Sequence, residues 1–145
     1  MTTRDAPELV VLDASFVLRY VLHTNAPRPH PDGLGALRHA ELVVPALWNA
    51  EIANALIQAE RRGAATPAKV GQALSVINAL NPSIDTHPVD VTRNVELARA
   101  YGLSAYDALY LELALRRKAA LATYDDDMIA AAPTAGIRLY PAPAA

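Results

Sequence analysis

Glu51 interrupts an apolar helix face, where a carboxylate is costly unless its charge is compensated. In LWNAEIANAL, residues 47–56, apolar residues recur at steps of three and four, which is typical of one face of a helix. Glu51 comes three residues after Trp48 and four before Ala55, so its side chain projects from this face. An unpaired buried carboxylate costs on the order of several kcal/mol. The pattern therefore indicates a bound cation, an arginine partner or local fraying of the helix.

Three further acids have spacings that suit chemistry but also have ordinary structural explanations. Asp13 ends the apolar run ELVVLD and could cap the helix that follows. Asp107 comes three residues after Ser104, which is the spacing of a capping box. Asp125 opens the acidic run 125–127, which could complement a helix dipole. Taken singly, each of these acids is compatible with helix capping alone.

The elements that must position these acids alternate between strands and helices. Five short apolar runs predict strands, at residues 8–13, 41–45, 84–89, 120–124 and 137–141. Helical patterns lie between them, at residues 14–24, 33–40, 46–62, 66–80, 91–102, 104–120 and 125–132. Such alternation predicts an α/β domain whose parallel sheet is covered on both faces by helices.

This topology predicts that the four acids converge. Ligands of such sheets bind beyond the carboxyl ends of the strands, where Asp13 and Asp125 follow two strands. Glu51 lies about two turns into the helix rising from that edge, and Asp107 lies in the first turn of the helix before the fourth strand. The arginines cluster instead at helix C-terminal ends, where the helix dipole accounts for them. A metal ion is therefore favoured over an arginine as the partner of Glu51.

Oxygen ligands without histidine or cysteine suit a hard cation such as Mg²⁺ or Mn²⁺. A hydrated divalent ion held by carboxylates neutralises a phosphate and lowers the pKa of an attacking water, and two ions about 4 Å apart can divide these roles. The four histidines show no ligand-like pairing, and the sequence contains neither a G-x-S-x-G nor a P-loop motif. The predicted chemistry is hydrolysis of a phosphodiester with one or two metal ions.

The composition narrows the classes of function. The chain has 145 residues, a net charge of −2 and 52% hydrophobic residues, as expected of one globular domain spanning 1–145. The absence of cysteine excludes disulfides, thiolate nucleophiles and cysteine-ligated metals. No apolar run reaches the roughly 18 residues of a membrane span, and the first residues lack a signal peptide, so we expect a cytoplasmic protein. The slightly acidic net charge argues against a protein that coats nucleic acid through a basic face. It allows nucleic acid to bind through a divalent cation.

Four segments resemble, in order, the motifs of the PIN-domain family and specifically of VapC-type toxins. They are VVLDAS, PALWNAEIANAL, YGLSAYDALYLELA and LATYDDDM, and the resemblance covers nearly the whole chain. It implies a single PIN-like domain with a five-stranded parallel sheet flanked by helices. It also implies a cytoplasmic, Mg²⁺- or Mn²⁺-dependent endoribonuclease that a cognate VapB-type antitoxin holds inactive.

The resemblance assigns roles to residues within these motifs. The acids that match the family's acidic positions, and are therefore implied as catalytic and metal-binding residues, are Asp13, Glu51, Asp107 and Asp125. Four residues are candidates for a supporting role: Thr123, Ser15, Asn54 and Asp127. Ser15 and Asn54 also have plain capping or surface explanations. The loop 25–33 is richer in proline and histidine than is typical of the family. The resemblance therefore assigns no substrate-contacting residue in this loop.

Two other functions compete with this hypothesis. A phosphoacceptor receiver domain is also a single α/β domain with clustered acids, but it needs a lysine after a late strand, and none lies near Tyr124 or Tyr140. A non-cleaving PIN-like module that binds nucleic acid or protein would have no reason to keep all four acids together. A DNA substrate stays open, because metal–carboxylate chemistry does not itself distinguish the 2′-hydroxyl.

Two partner proteins are also predicted. The helices 46–62 and 66–80, joined by a short turn, are expected to form a protruding arm whose apolar positions make a two-fold homodimer interface. An antitoxin segment is expected to lie in the acidic groove and to place an arginine against the acids.

Overall fold

The computed structural model describes residues 6–22, 26–27 and 30–142. Four parallel strands run β1 Glu8–Leu12, β2 Ala40–Pro45, β3 Ser83–Asp85 and β4 Ala120–Ala122. Within these ranges, seven helices accompany them: α1 Ala14–Val21, α2 Gly33–Leu37, α3 Leu47–Arg61, α4 Pro67–Leu80, α5 Val91–Tyr101, α6 Ala105–Arg117 and α7 Asp126–Thr134. The predicted first helix ends at Val21, and its predicted residues His23 and Thr24 lie outside the described ranges.

The sheet has the strand order β3-β2-β1-β4, which places β1 in its interior. Val10, Val11 and Leu12 of β1 are completely buried, as expected of a parallel strand covered on both faces. Helix α6 packs on β1, β2 and β4, whereas α1 packs against α3 and α4. The predicted α/β class is confirmed, and the acids that follow β1 and β4 start from adjacent strands.

The predicted fifth strand at 137–141 does not form. Leu139 makes only an isolated parallel bridge with Leu121. The Leu121 N–H donates to the Arg138 carbonyl and the Tyr140 N–H donates to the Leu121 carbonyl, both at 2.9 Å. In this parallel register the preceding rung would need the Ala119 N–H, which donates instead to the Ala114 carbonyl at 2.9 Å, so the ladder does not extend toward Gly136. The count of five strands was therefore wrong, and the described sheet has four.

Helices α3 and α4 form the pair that the sequence predicted as an arm. The Thr66 hydroxyl caps α4 by accepting a hydrogen bond from the Lys69 N–H at 3.2 Å, and Pro67 is the first helical residue. Helix α4 packs against both α3 and α1 and leaves Leu74 and Val76 exposed. Within the described ranges, no helix is both long enough and apolar enough to cross a membrane.

Candidate active site

One cavity brings together the four acids that the sequence singled out. Asp13, Glu51, Asp107 and Asp125 all line it, and its volume is about 290 Å³. It lies at the carboxyl edge of the sheet, because Asp13 directly follows β1 and Asp125 follows β4 by three residues. A larger cavity of about 440 Å³ lies between the ends of β2 and β3 and helices α5 and α6, and none of the four acids lines it.

Asp13 is the most deeply buried of the four acids, with 3% of its surface exposed. The Thr123 hydroxyl donates to its Oδ2 at 2.8 Å, and the Ser15 hydroxyl donates to the same oxygen. Although Asp13 occupies the N-cap position of α1, its side chain makes no capping hydrogen bond. Capping therefore does not explain this carboxylate, which two hydroxyl groups hold at the cavity wall.

The same two hydroxyl groups connect β1 to the segment after β4. The Tyr124 N–H donates to Ser15 Oγ at 3.1 Å, and the Asp125 N–H donates to Thr123 Oγ1 at 3.0 Å. Ser15 and Thr123 thus contact both the carboxylate of Asp13 and the backbone that carries Asp125. This network fixes the two acids relative to each other.

Glu51 is half-buried on α3 and accepts a hydrogen bond from the Tyr110 hydroxyl at 2.8 Å. Among the described residues no arginine or lysine forms an ion pair with it, and α3 is continuous from Leu47 to Arg61, so neither an arginine partner nor fraying explains its position. Burial and the neighbouring carboxylates of Asp13 and Glu51 raise the pKa of Tyr110 well above its usual value. The phenol therefore stays protonated and remains a donor.

Asp107 and Asp125 differ in how well helix capping accounts for them. Ser104 caps α6 by accepting a hydrogen bond from the Asp107 N–H at 3.1 Å, while the half-buried Asp107 side chain lines the cavity. Asp125 does cap α7, because its Oδ1 accepts from the Met128 N–H at 3.0 Å. Asp125 therefore has a structural role in addition to its position in the cavity wall.

Burial raises the pKa values of three of these acids, and neighbouring carboxylates add to the effect. Burial raises the pKa of Asp13 to about 7, against the hydrogen bonds from Ser15 and Thr123 and with reinforcement from the charges of Glu51 and Asp107. Burial also raises the pKa of Glu51, and the charge of Asp107 adds to it. The pKa of Asp107 rises through burial and then through the charge of Asp125. These carboxylates lie close enough to repel one another, and a cation between them would relieve that repulsion.

The donor chemistry of the cavity fits a hydrated Mg²⁺ or Mn²⁺ ion. In the part of the chain that the structure describes, no three acidic or histidine side chains are grouped closely enough to hold a metal by protein ligands alone. Mg²⁺ does not need such a cage, because it usually binds through one or two carboxylates and keeps several waters. Four carboxylates around about 290 Å³ leave room for an ion with its water shell.

The remaining candidates and two unpredicted residues complete the site. Asn54 is exposed and does not line the cavity, whereas the exposed Asp127 is near enough for its charge to raise the pKa of Asp107. Sequence reasoning missed Tyr110, which lies one turn after Asp107 on α6. It also missed Arg19, which lines the cavity one turn after Ser15 on α1. The helical steps of three and four could have indicated both.

Comparison with known proteins gives a family match and several similar structures. The model of the PIN domain matches residues 10–133, and no curated protein sequence matches the chain. The structure is similar to PAE2754 from Pyrobaculum aerophilum, with 25% identity, 86% of this chain and 79% of that chain covered, and a TM-score of 0.63. It is also similar in fold to a toxin–antitoxin complex from Klebsiella pneumoniae, with 18% identity, 82% and 89% covered, and a TM-score of 0.54.

Proposed function

The chain belongs to the PIN domain family, and from this premise we propose that it is a Mg²⁺- or Mn²⁺-dependent endoribonuclease, the toxin of a VapBC-type toxin–antitoxin pair. PIN domains are generally nucleases. The single observation that carries the proposal is the cavity lined by Asp13, Glu51, Asp107 and Asp125, whose carboxylates come from four separate segments. Residues 1–145 form one PIN domain in this proposal.

The four acids would hold one or two metal ions, and neighbouring side chains would hold the acids in place. When bound, such an ion neutralises phosphate charge and lowers the pKa of a water that attacks the phosphodiester. Ser15 and Thr123 restrict the Asp13 carboxylate through hydrogen bonds, and Tyr110 restricts Glu51. Carboxylates held in advance of binding lose little freedom when the substrate arrives, which favours catalysis.

The toxin assignment and the partners rest on similarity in fold and on the charge of the cavity. The likeness to the Klebsiella pneumoniae toxin–antitoxin complex is one of fold, and it makes a VapB-type antitoxin a reasonable partner to propose. A cavity lined by four acids also suits an arginine from such an antitoxin. The proposal further includes a homodimer that forms through the exposed face of α3 and α4, and a cytoplasmic location.

The proposal is tested by incubating the purified chain with labelled single-stranded RNA, in Mg²⁺ and in EDTA. We expect the wild type to cleave RNA in Mg²⁺ but not in EDTA. The variant Asp107→Asn should not cleave RNA in either condition, because the change removes one carboxylate from the cavity. Glu96→Gln is the matched control, since Glu96 is exposed on α5 and does not line the cavity. Cleavage by Asp107→Asn at the wild-type rate would overturn the assignment, and RNA binding without cleavage would favour a non-cleaving PIN module.

A further inference from the structure

Arg19 is a cation in the wall of an acidic cavity. Among the described residues that line this cavity, the four acids face one basic side chain, that of Arg19. Arg19 lies on α1, four residues after Ser15, so the two side chains lie on the same face of the helix. Arg19 therefore lies one helical turn after Ser15, the residue whose hydroxyl donates a hydrogen bond to the most deeply buried acid.

Two contacts hold the Arg19 guanidinium. Its Nη1 donates to the Pro27 carbonyl at 2.7 Å, and its central carbon lies 5.1 Å from the centre of the Tyr124 ring. The Tyr124 N–H in turn donates to Ser15 Oγ. The guanidinium therefore contacts a residue of the hydrogen-bond network that positions Asp13. A guanidinium fixed in this way loses less side-chain entropy when it binds a ligand than a freely moving one.

Arg19 is not used to neutralise the acids that surround it. Within the described ranges, no carboxylate forms an ion pair with it at 4.0 Å or less. A guanidinium has five N–H donors, and the described contacts with polar atoms use one of them, for Pro27.

We propose that Arg19 is the phosphate-binding residue of this cavity and contacts a backbone phosphate of the nucleic acid while the acids face the bond to be cleaved. This inference rests on the proposed nuclease function. A chain with a net charge of −2 and an acidic cavity repels a polyanion, so a fixed cation at the cavity wall lowers the cost of substrate entry. Arginine suits this role because its planar donors match two phosphate oxygens at once.

A contact with phosphate has consequences that a structural role does not. Phosphate contacts position the strand without reading its sequence, so loss of Arg19 weakens the binding of all RNA sequences alike. Each neutralised phosphate also contributes about 0.7 to the slope of log affinity against log salt concentration for a single strand. The salt dependence of binding is therefore the measurement that identifies the role of Arg19.

The experiment uses Asp107→Asn as the parent chain, so that RNA stays intact. Binding of labelled single-stranded RNA is measured by fluorescence anisotropy across a series of KCl concentrations. Adding Arg19→Gln is expected to raise Kd about tenfold, as for loss of a charged hydrogen bond, and to lower the salt slope by about 0.7. Arg19→Lys should keep the slope and weaken binding less, because the charge remains. Arg99→Gln, an exposed arginine on α5, should leave both Kd and slope unchanged.

The outcomes separate this inference from the proposed function. If the wild type cleaves RNA and the parent chain binds it, but Arg19→Gln changes neither Kd nor slope, the phosphate role of Arg19 is wrong and the nuclease stands. If Arg19→Gln lowers only the melting temperature and Arg19→Lys behaves identically, Arg19 merely holds the backbone at Pro27. If the parent does not bind RNA and the wild type does not cleave it, both proposals fail.

Discussion

Asp13 is a carboxylate buried beside other carboxylates, which makes it a source of instability when no cation is bound. Its pKa in the folded chain is raised to about 7, and burial is the main cause. In the unfolded chain an aspartate has a pKa near 3.9. Between these values the folded state retains a proton that the unfolded state has lost. The stabilising contribution is therefore complete below about pH 4 and is lost as the pH rises through about 7.

This dependence of stability on pH leads to a prediction for Asp13→Asn in the absence of metal. The variant cannot ionise at this position, so we expect its melting temperature to exceed that of the wild type by several degrees at about pH 8, and the difference to shrink toward about pH 4. Mg²⁺ should raise the melting temperature of the wild type at about pH 8 but not that of the variant. Thermal denaturation across pH, with and without Mg²⁺, measures both effects. A variant less stable than the wild type at every pH would contradict the argument.

Tyr110 offers a second prediction at the scale of one residue. Tyr110→Phe keeps the buried ring and removes only the hydroxyl that donates to Glu51. We expect Mg²⁺ affinity to fall by about tenfold, as for other losses of a hydrogen bond to a metal-binding side chain, while the fold is retained. Calorimetric titration with Mg²⁺ measures the affinity. Tyr106→Phe is the control, since Tyr106 lies on the same helix but is 66% exposed, and equal Mg²⁺ affinity in the two variants would exclude a positioning role for Tyr110.

At the scale of elements, some helix ends were predictable because their signals are local, whereas the predicted ends at residues 40 and 120 lie three residues beyond the observed ones. Thr66 caps α4 and Gly102 ends α5 with φ +65°, as their positions in the sequence indicated. Convergence of the acids was predictable as well, since parallel strands direct their carboxyl ends to one edge. The lack of a fifth strand was not predictable, because it depends on which carbonyl accepts the Ala119 N–H, and that N–H donates to Ala114 at the end of α6. The spacing of Arg19 from Ser15 was a usable signal, but only the packed structure shows that this face of α1 borders the cavity.

The cap of α6 predicts a coupling between helix geometry and the site. Ser104→Ala removes the acceptor of the Asp107 N–H, and Thr66→Ala removes the equivalent acceptor at the start of α4, which is remote from the cavity. Each change should lower the free energy of unfolding by about 1 kcal/mol. Only Ser104→Ala should also lower Mg²⁺ affinity, because it loosens the turn that carries Asp107. Chemical denaturation and Mg²⁺ titration measure these quantities, and equal Mg²⁺ affinities would show that the cap acts on stability alone.

At the scale of the whole molecule, most of the large apolar side chains that are exposed among the described residues fall into two groups. One group lies on the paired helices α3 and α4 and comprises Ile57, Leu74 and Val76. The other lies around the start of α5 and comprises Ile84, Val89, Val91 and Val95. Where such side chains form a contiguous patch, they mark an interaction site. The two surfaces therefore compete for the role of homodimer interface, and the proposal assigns it to the first.

Leu74→Glu and Val95→Glu distinguish the two surfaces, because their native side chains are exposed to nearly the same extent, 42% and 41%. A buried unpaired charge at a two-fold interface appears twice and is strongly unfavourable. We expect the wild type to be a dimer by light scattering at micromolar concentration, Leu74→Glu to be a monomer and Val95→Glu to remain a dimer. Neither change should unfold the chain, since both side chains already contact solvent. Dissociation by Val95→Glu alone would move the interface to α5, and a monomeric wild type would exclude both surfaces.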